Sequence, residues 1–172
     1  MKLCRIGKRG KEKPAIIDSE GNYRDLSKNI ADFDNNTLNF ETIDKLKTID
    51  ITKLPVFDKD ERIGAPVNNP SKFIGIGLNF KDHALEQNLP IPKEPIIFSK
   101  FTNCIIGPND DIEIPKNSNH TDWEVELGFV IGKKTKYVSE KDSLNHVLGF
   151  FLVNDVSAVS YTHLRAHETL LY

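Results

Sequence analysis

The 172-residue chain has the size of one ordinary domain, or of a small domain and part of another, and 38% of its residues are hydrophobic. Its 23 basic and 25 acidic residues leave a formal net charge of −2. The basic residues form no block of the kind that would indicate nucleic acid or a membrane as a partner. Cys4 and Cys104 lie far apart without metal-ligand spacing, which indicates a reducing compartment. No apolar stretch reaches the length of a membrane span and no signal-peptide pattern is present, so we expect a cytoplasmic protein with a small-molecule site.

Residues 1–61 predict a small β-rich N-terminal domain followed by a linker. MKLCRI and PAIID are strand-like, and SEGNYRDL favours a tight reversal at Gly21 and Asn22. The stretch IADFDNNTLNFETIDKLKTIDITKL has weak helical periodicity. LPVFDKDERIGAPVNNPSK is rich in proline, glycine and asparagine, which is typical of a linker.

The following residues predict a mixed α+β structure in which strands dominate. FIGIGLN predicts a buried strand, and KDHALEQN a short helix with Asn79 as its N-cap. IIFSKF predicts a strand, and CIIGPNDDIEI a strand, a turn and a strand. WEVELGFVIG is the strongest strand pattern in the chain, SEKDSLNHV predicts a helix capped by Ser139, and LGFFLVNDV predicts a further strand.

Two glutamates interrupt the apolar stretch TDWEVELGFVI. Because strand side chains alternate, Glu124 and Glu126 share one face, and a divalent cation with hard oxygen ligands relieves their repulsion. Asp155 also emerges from an apolar strand pattern, and adjacent strands could bring it beside the pair. The alternative is a solvated strand face with Asp155 capping a turn.

A second candidate group lies in NFKDHALEQ and IIFSKF. On a helix, His83 and Glu86 are i,i+3 neighbours, so the carboxylate can orient the imidazole as a general base. The alternative is an exposed helix on which the two side chains merely meet in solvent. Lys100 can bind a substrate carboxylate or a developing oxyanion, or be an ordinary surface lysine. Gly75-x-Gly77 lacks the third glycine of a nucleotide-binding loop.

Four stretches resemble, in this order, the fumarylacetoacetate hydrolase family: RIGAPVNNPSKFIGIGLNFKDHALEQ, EPIIFSKFTNCIIGPNDDIEIP, TDWEVELGFVIGK and GFFLVNDVSA. They cover residues 62–158, which are similar to the N-terminal part of the family's catalytic domain. Residues 1–61 resemble the small accessory domain of many bacterial members. The resemblance implies an incomplete β-roll catalytic domain behind a small β-rich domain, a homodimer when the protein is full length, and one magnesium or manganese ion.

The resemblance also implies roles for individual residues. The metal ligands fall on Glu124, Glu126 and Asp155, and Gly128 would leave room beside the ion. The water-activating pair falls on His83 and Glu86, and the substrate-contacting lysine on Lys100.

The implied reaction is metal-dependent hydrolysis of a carbon–carbon bond in a small 2,4-dioxo acid, either an acylpyruvate or a 2,4-didehydro-3-deoxy sugar acid. Other chemistry of the family stays open: ureidoglycolate cleavage, isomerisation of a hydroxyheptadienedioate, and decarboxylation of oxaloacetate. A non-catalytic fragment or a structural metal-binding β-roll is the remaining alternative.

The last fourteen residues, VSYTHLRAHETLLY, depart from the family pattern. His163 and His167 are spaced i,i+4, but the glutamate of a H-E-x-x-H zinc motif is absent. The segment resembles a peptide that recurs where sequencing-adapter DNA is translated. We therefore interpret residues 159–172 as a non-native tail on a C-terminally truncated chain, and expect uncovered strand edges and apolar surface.

Overall fold

Short antiparallel strands make up most of the regular structure in residues 1–158, which are the residues that this computed structural model describes. The strands are β1 (Lys2–Ile6), β2 (Lys13–Ile17), β3 (Tyr23–Asp25), β4 (Phe73–Gly77), β5 (Ile96–Lys100), β6 (Thr121–Asp122), β7 (Val125–Ile131), β8 (Val147–Asn154) and β9 (Ser157–Ala158). The α-helices are α1 (Phe40–Lys47) and α2 (Lys81–Glu86), and 3-10 helices span Ile51–Lys53, Thr102–Cys104 and Glu140–His146. This content confirms the predicted α+β class with β structure dominant.

The chain divides into two units by its internal contacts. The first unit contains Met1–Thr37 with Lys47–Asn109, and the second contains Leu38–Leu46 with the chain from Asp110 onward. The β1–β2–β3 and β4–β5 sheets belong to the first unit, and the β6–β9 and β7–β8 sheets belong to the second. The domain boundary predicted at residues 61 and 62 stays a prediction, and the predicted tail lies outside the described residues.

The N-terminal strands form a three-stranded sheet, of which the sequence predicted β1 and β2, whereas β3 lies in the stretch that was predicted as a turn. β2 is the central strand and pairs antiparallel with both β1 and β3. Ala15 and Ile16 are consecutive and both buried, so this strand is covered on both faces. The turn after β2 places Gly21 at a φ of 82°, a left-handed conformation that glycine adopts without steric cost.

The core of the first unit continues beyond this sheet. Leu26 and Phe33 are almost completely buried, and each contributes about 1.5–3 kcal/mol through removal of its side chain from water. This unit also buries a charged side chain, Arg5 of β1, which forms an ion pair with Asp32.

β4 and β5 pair antiparallel, with Gly75 opposite Phe98. A Cβ atom at Gly75 would collide with the Phe98 ring. The glycine is therefore required by close side-chain packing within the hairpin, which accounts for it without a nucleotide-binding loop.

The helix that follows β4 begins at Lys81, as predicted, but its cap differs from the prediction. Its N-cap is Phe80, which makes no side-chain cap hydrogen bond, so the prediction of an Asn79 cap is wrong. Leu78 has a φ of 47°, in the left-handed region that costs a non-glycine residue about 1–2 kcal/mol. This left-handed turn takes Asn79 into the connection between β4 and α2.

Two further element predictions differ from the structure. Residues 105–114 contain no strand, so the two strands predicted for CIIGPNDDIEI are wrong, whereas the turn between them is present at Pro108 and Asn109. Ile112 and Ile114 are exposed, and a strand pattern without a paired neighbour does not form a sheet. The helix predicted after Ser139 is present as the 3-10 helix Glu140–His146, and the Ser139 hydroxyl donates to the Asp142 carboxylate instead of capping the backbone.

The β7–β8 hairpin exposes a broad apolar face. The side chains on this face are 54–78% exposed and are Val125, Leu127, Phe129, Phe150 and Leu152. The Phe129 and Phe150 rings contact each other with their centroids 6.5 Å apart. Such a patch is uncommon on a monomeric protein surface, in agreement with the expectation of uncovered apolar surface.

Among the helices of residues 1–158, none combines the length and hydrophobicity needed to cross a membrane.

Candidate metal centre and catalytic residues

Three carboxylates lie on one face at the end of the β7–β8 hairpin. Val125 pairs with Asn154, and the backbone N–H of Asp155 donates to the carbonyl oxygen of Glu124 over 2.8 Å. Glu124 therefore stands opposite Asp155, and Glu126 follows two residues along the same face. The backbone register thus places Asp155 directly beside the strand that carries the two glutamates.

The exposure pattern of β7 argues against an ordinary solvated face for these acids. Trp123 and Val125 are 70% and 59% exposed, whereas Glu124 and Glu126 are half-buried. On a solvated strand face the charged side chains would be the more exposed set. The acids instead occupy the more enclosed face, where a negative charge is costly without a partner.

The carboxylate side chains do not form a finished coordination group. Within residues 1–158, no three His, Cys, Asp or Glu side chains are arranged to hold a metal ion. The backbone register nevertheless places three carboxylate-bearing residues on one face, and carboxylate oxygens are the ligands that magnesium and manganese prefer. The Oδ1 atom of Asp155 is also buried. The residues fit a divalent cation in donor chemistry and backbone position, and the ligand set stays a prediction.

The space beside Gly128 is occupied by protein. A Cβ atom at Gly128 would lie 2.7 Å from Phe151 and from Val153, which approach from β8. The room expected beside the ion is therefore filled by side-chain packing.

His83 lies in α2 and is exposed, as is Glu86. Its Nε2 atom is 2.5 Å from the side-chain amide nitrogen of Gln87, one helical turn further along. The pairing of His83 with Glu86 stays a prediction. Sequence reasoning missed Gln87, although its i,i+4 spacing from His83 was a signal that could have identified it.

Lys100 ends β5 and is half-buried. It pairs across the hairpin with Phe73, so it lies on the face that also carries Phe98. A half-buried ammonium at a strand end is a suitable counter-charge for an anionic group. Its role stays a prediction, and His163 and His167 lie outside the described residues.

The family model described as fumarylacetoacetate (FAA) hydrolase C-terminal matches residues 72–169, a range that extends into the segment we interpreted as a tail. A 2,4-didehydro-3-deoxy-L-rhamnonate hydrolase from a Sphingomonas species is 49% identical over 157 residues, which cover 91% of this chain and 53% of that protein. The chain thus spans about half the length of the curated relatives that it matches.

Solved structures of fumarylacetoacetate hydrolase-type proteins are also similar to this chain. A fumarylacetoacetate hydrolase from the psychrophile Exiguobacterium antarcticum superposes with a TM-score of 0.75 at 25% identity, covering 96% of this chain and 59% of the other. A 5-carboxymethyl-2-hydroxymuconate delta-isomerase from Mycobacterium smegmatis gives a TM-score of 0.68 at 28% identity, covering 96% of this chain and 58% of the other. With a family model that matches more than half of its residues, the chain belongs to the fumarylacetoacetate hydrolase family.

Proposed function

We propose that the protein carrying this chain is a metal-dependent hydrolase that cleaves a carbon–carbon bond in a small 2,4-dioxo acid. The observation that carries the proposal is the β7–β8 register, in which Glu124 and Asp155 are linked by a 2.8 Å backbone hydrogen bond and Glu126 follows on the same face. The name of the Sphingomonas relative supports the substrate class, because it specifies hydrolysis of a 2,4-didehydro-3-deoxy sugar acid.

In this proposal, Glu124, Glu126 and Asp155 hold magnesium or manganese. When bound, the cation supplies Lewis-acid polarisation and a template for the substrate oxygens. Three carboxylates bring three negative charges to one face, and a bound divalent cation would offset part of this charge.

His83 would take a proton from the attacking water as the general base. Its ring needs an orienting partner for this role, and both Glu86 and Gln87 are within one helical turn. Lys100 would stabilise the negative charge of the enolate that leaves when the carbon–carbon bond breaks. The two groups of residues come from different units, and their joint role rests on family membership.

Metal binding is tested by calorimetry on the full-length protein with magnesium and oxalate, a mimic of the enolate. We expect oxalate to bind only with magnesium present, and Glu124→Ala to abolish this binding. Glu113→Ala, which removes an exposed acid of the second unit outside the strands, is the matched control and should bind normally. Oxalate binding that is independent of the metal, or that survives Glu124→Ala, would contradict the metal centre.

Catalysis is tested separately by replacing His83 with alanine. Loss of general-base help should lower turnover by about 10²–10⁴, while magnesium affinity stays unchanged. Turnover equal to that of the wild type would refute the role of His83.

A second candidate activity is isomerisation, which the name of the Mycobacterium smegmatis structure favours. Assaying the full-length protein with acylpyruvates, 2,4-dioxo sugar acids and hydroxydienedioates separates the two. Hydrolysis yields two carbon fragments, whereas isomerisation leaves the carbon skeleton intact.

A further inference from the structure

A cavity of about 220 Å³ lies in the first unit, and its lining does not include His83, Glu86 or Lys100. Three arginines line it, Arg5, Arg9 and Arg62, together with a single acid, Glu12. Apolar side chains complete the wall, among them Val67 and Ile105. A concave site that combines apolar side chains with a few convergent charged groups can hold a small ligand.

Two of the three arginines are fixed by a buried ionic network. Arg5 donates from Nε and from a terminal nitrogen to the two carboxylate oxygens of Asp32, over 2.6 and 2.8 Å. Arg62 donates to Glu12 over 2.8 Å and to the carbonyl of Gly7 over 3.1 Å. These bidentate and bridging contacts hold the guanidinium groups in place, so the wall is rigid on that side.

Arg9 supplies the charge that this network does not balance. Asp32 offsets Arg5 and Glu12 offsets Arg62, whereas Arg9 forms no ion pair within residues 1–158. Arg9 is exposed and lies in a turn between Gly7 and Gly10, whose φ angles are 129° and 77°. The cavity therefore has one cation in excess, carried by a guanidinium on a glycine-flanked turn.

Two polar side chains face the same cavity from the 3-10 helix after β5. Thr102 and Asn103 line it, and neither side chain makes a hydrogen bond to another residue of the described chain. A hydroxyl and an amide can donate to an anion, and Arg9 offers the planar fork that suits a carboxylate.

We propose that this cavity binds a small organic carboxylate, with Arg9 as its counter-cation, Thr102 and Asn103 as hydrogen-bond donors, and the apolar wall against its carbon chain. The excess of one positive charge favours a monoanion over a dianion. The apolar wall favours an aliphatic body over inorganic phosphate or acetate.

The test is an NMR titration of the 172-residue chain with butyrate, acetate and inorganic phosphate, observing the backbone amides of Gly10 and Gly107 at the cavity wall. We expect saturable shifts with butyrate, and weaker binding of acetate and of phosphate. Arg9→Gln should weaken butyrate binding by about tenfold, which corresponds to loss of one charge-assisted hydrogen bond. Lys8→Gln removes the same charge from the neighbouring exposed position and should leave the affinity within about twofold.

Several outcomes would overturn the proposal. Shifts that rise without saturation would show that butyrate has no site there. If Arg9→Gln and Lys8→Gln weakened butyrate binding equally, the interaction would be a general charge attraction. If phosphate bound as tightly as butyrate, the site would not be one for an organic carboxylate. Asn103→Ala gives a second variant that leaves the ionic network unchanged and should also weaken butyrate binding.

Discussion

Replacing Asp32 with asparagine tests how strongly the buried ion pair stabilises the first unit. The side chain of Arg5 is 6% exposed and that of Asp32 is 16% exposed, so neither charge is well solvated. Asp32 also accepts a hydrogen bond from the Asn68 amide over 2.9 Å. Asparagine keeps the shape of the side chain but removes its charge, and Arg5 would retain the ion pair with Glu12 at 3.5 Å and the hydrogen bond to the Ala65 carbonyl at 3.3 Å.

The magnitude follows from the cost of leaving a buried charge without its partner, which is about 3–5 kcal/mol. Glu12 offers partial compensation, so we expect the free energy of unfolding to fall by about 3 kcal/mol, the lower end of that range. Burial raises the pKa of Glu12, but the hydrogen bond from Arg62 and the charge of Arg5 outweigh it, and the pKa lies below its usual range. Glu12 is therefore ionised at neutral pH and available to Arg5.

The assay is urea unfolding followed by circular dichroism at pH 7. With a denaturant slope of about 2 kcal/mol per molar, a loss of 3 kcal/mol lowers the midpoint by about 1.5 M. Lys53→Gln is the control, because its ion pair with Asp50 lies in the same unit, with side chains 82% and 51% exposed, and such an exposed pair is worth about 0.2–1 kcal/mol. A midpoint for Asp32→Asn within the range of that control would refute the reasoning.

Three further outcomes follow from the same structure. Burial raises the pKa of Asp18, but hydrogen bonds from Asn22 and Arg24 lower it far more, so that the pKa lies below its usual range. The free energy of unfolding should therefore fall as the pH drops below about 4, where the unfolded chain takes up a proton at this residue. Asp18→Asn should flatten this pH dependence in acid unfolding curves. Burial raises the pKa of Cys4 to about 11. A thiol reagent at pH 8 should therefore label only the exposed Cys104 in the native chain. Labelling of both thiols without denaturant would contradict this prediction. Leu152→Thr should reduce aggregation measured by light scattering, because Leu152 is 78% exposed, whereas Val153→Thr on the opposite face should not.

Much of the strand content could be predicted from local sequence, because period-two alternation and turn residues act over short distances. WEVELGFVIG and LGFFLVNDV both became strands, and the alternation placed Glu124 and Glu126 on one face. CIIGPNDDIEI carries the same kind of pattern without forming a strand, because pairing depends on a neighbour that a local pattern does not specify.

The candidate site was only partly predictable for a related reason. The hairpin register that sets Asp155 opposite Glu124 is a pairing between separate segments, and the sequence indicated only that it could occur. Side-chain positions were even harder to predict from the sequence. Gln87 lies against His83, and Phe151 and Val153 fill the space beside Gly128, because packing selects among rotamers that sequence spacing leaves equivalent.

The strands that bring Glu124 and Asp155 together are joined by residues 132–146, a connection that contains the 3-10 helix Glu140–His146. The entropy cost of closing a loop grows only slowly with its length, so this connection still allows β7 and β8 to pair as neighbours in the chain, and such pairings form faster than pairings between distant segments. The register that sets the two acids opposite each other can therefore form once the chain has been synthesised as far as Asp155.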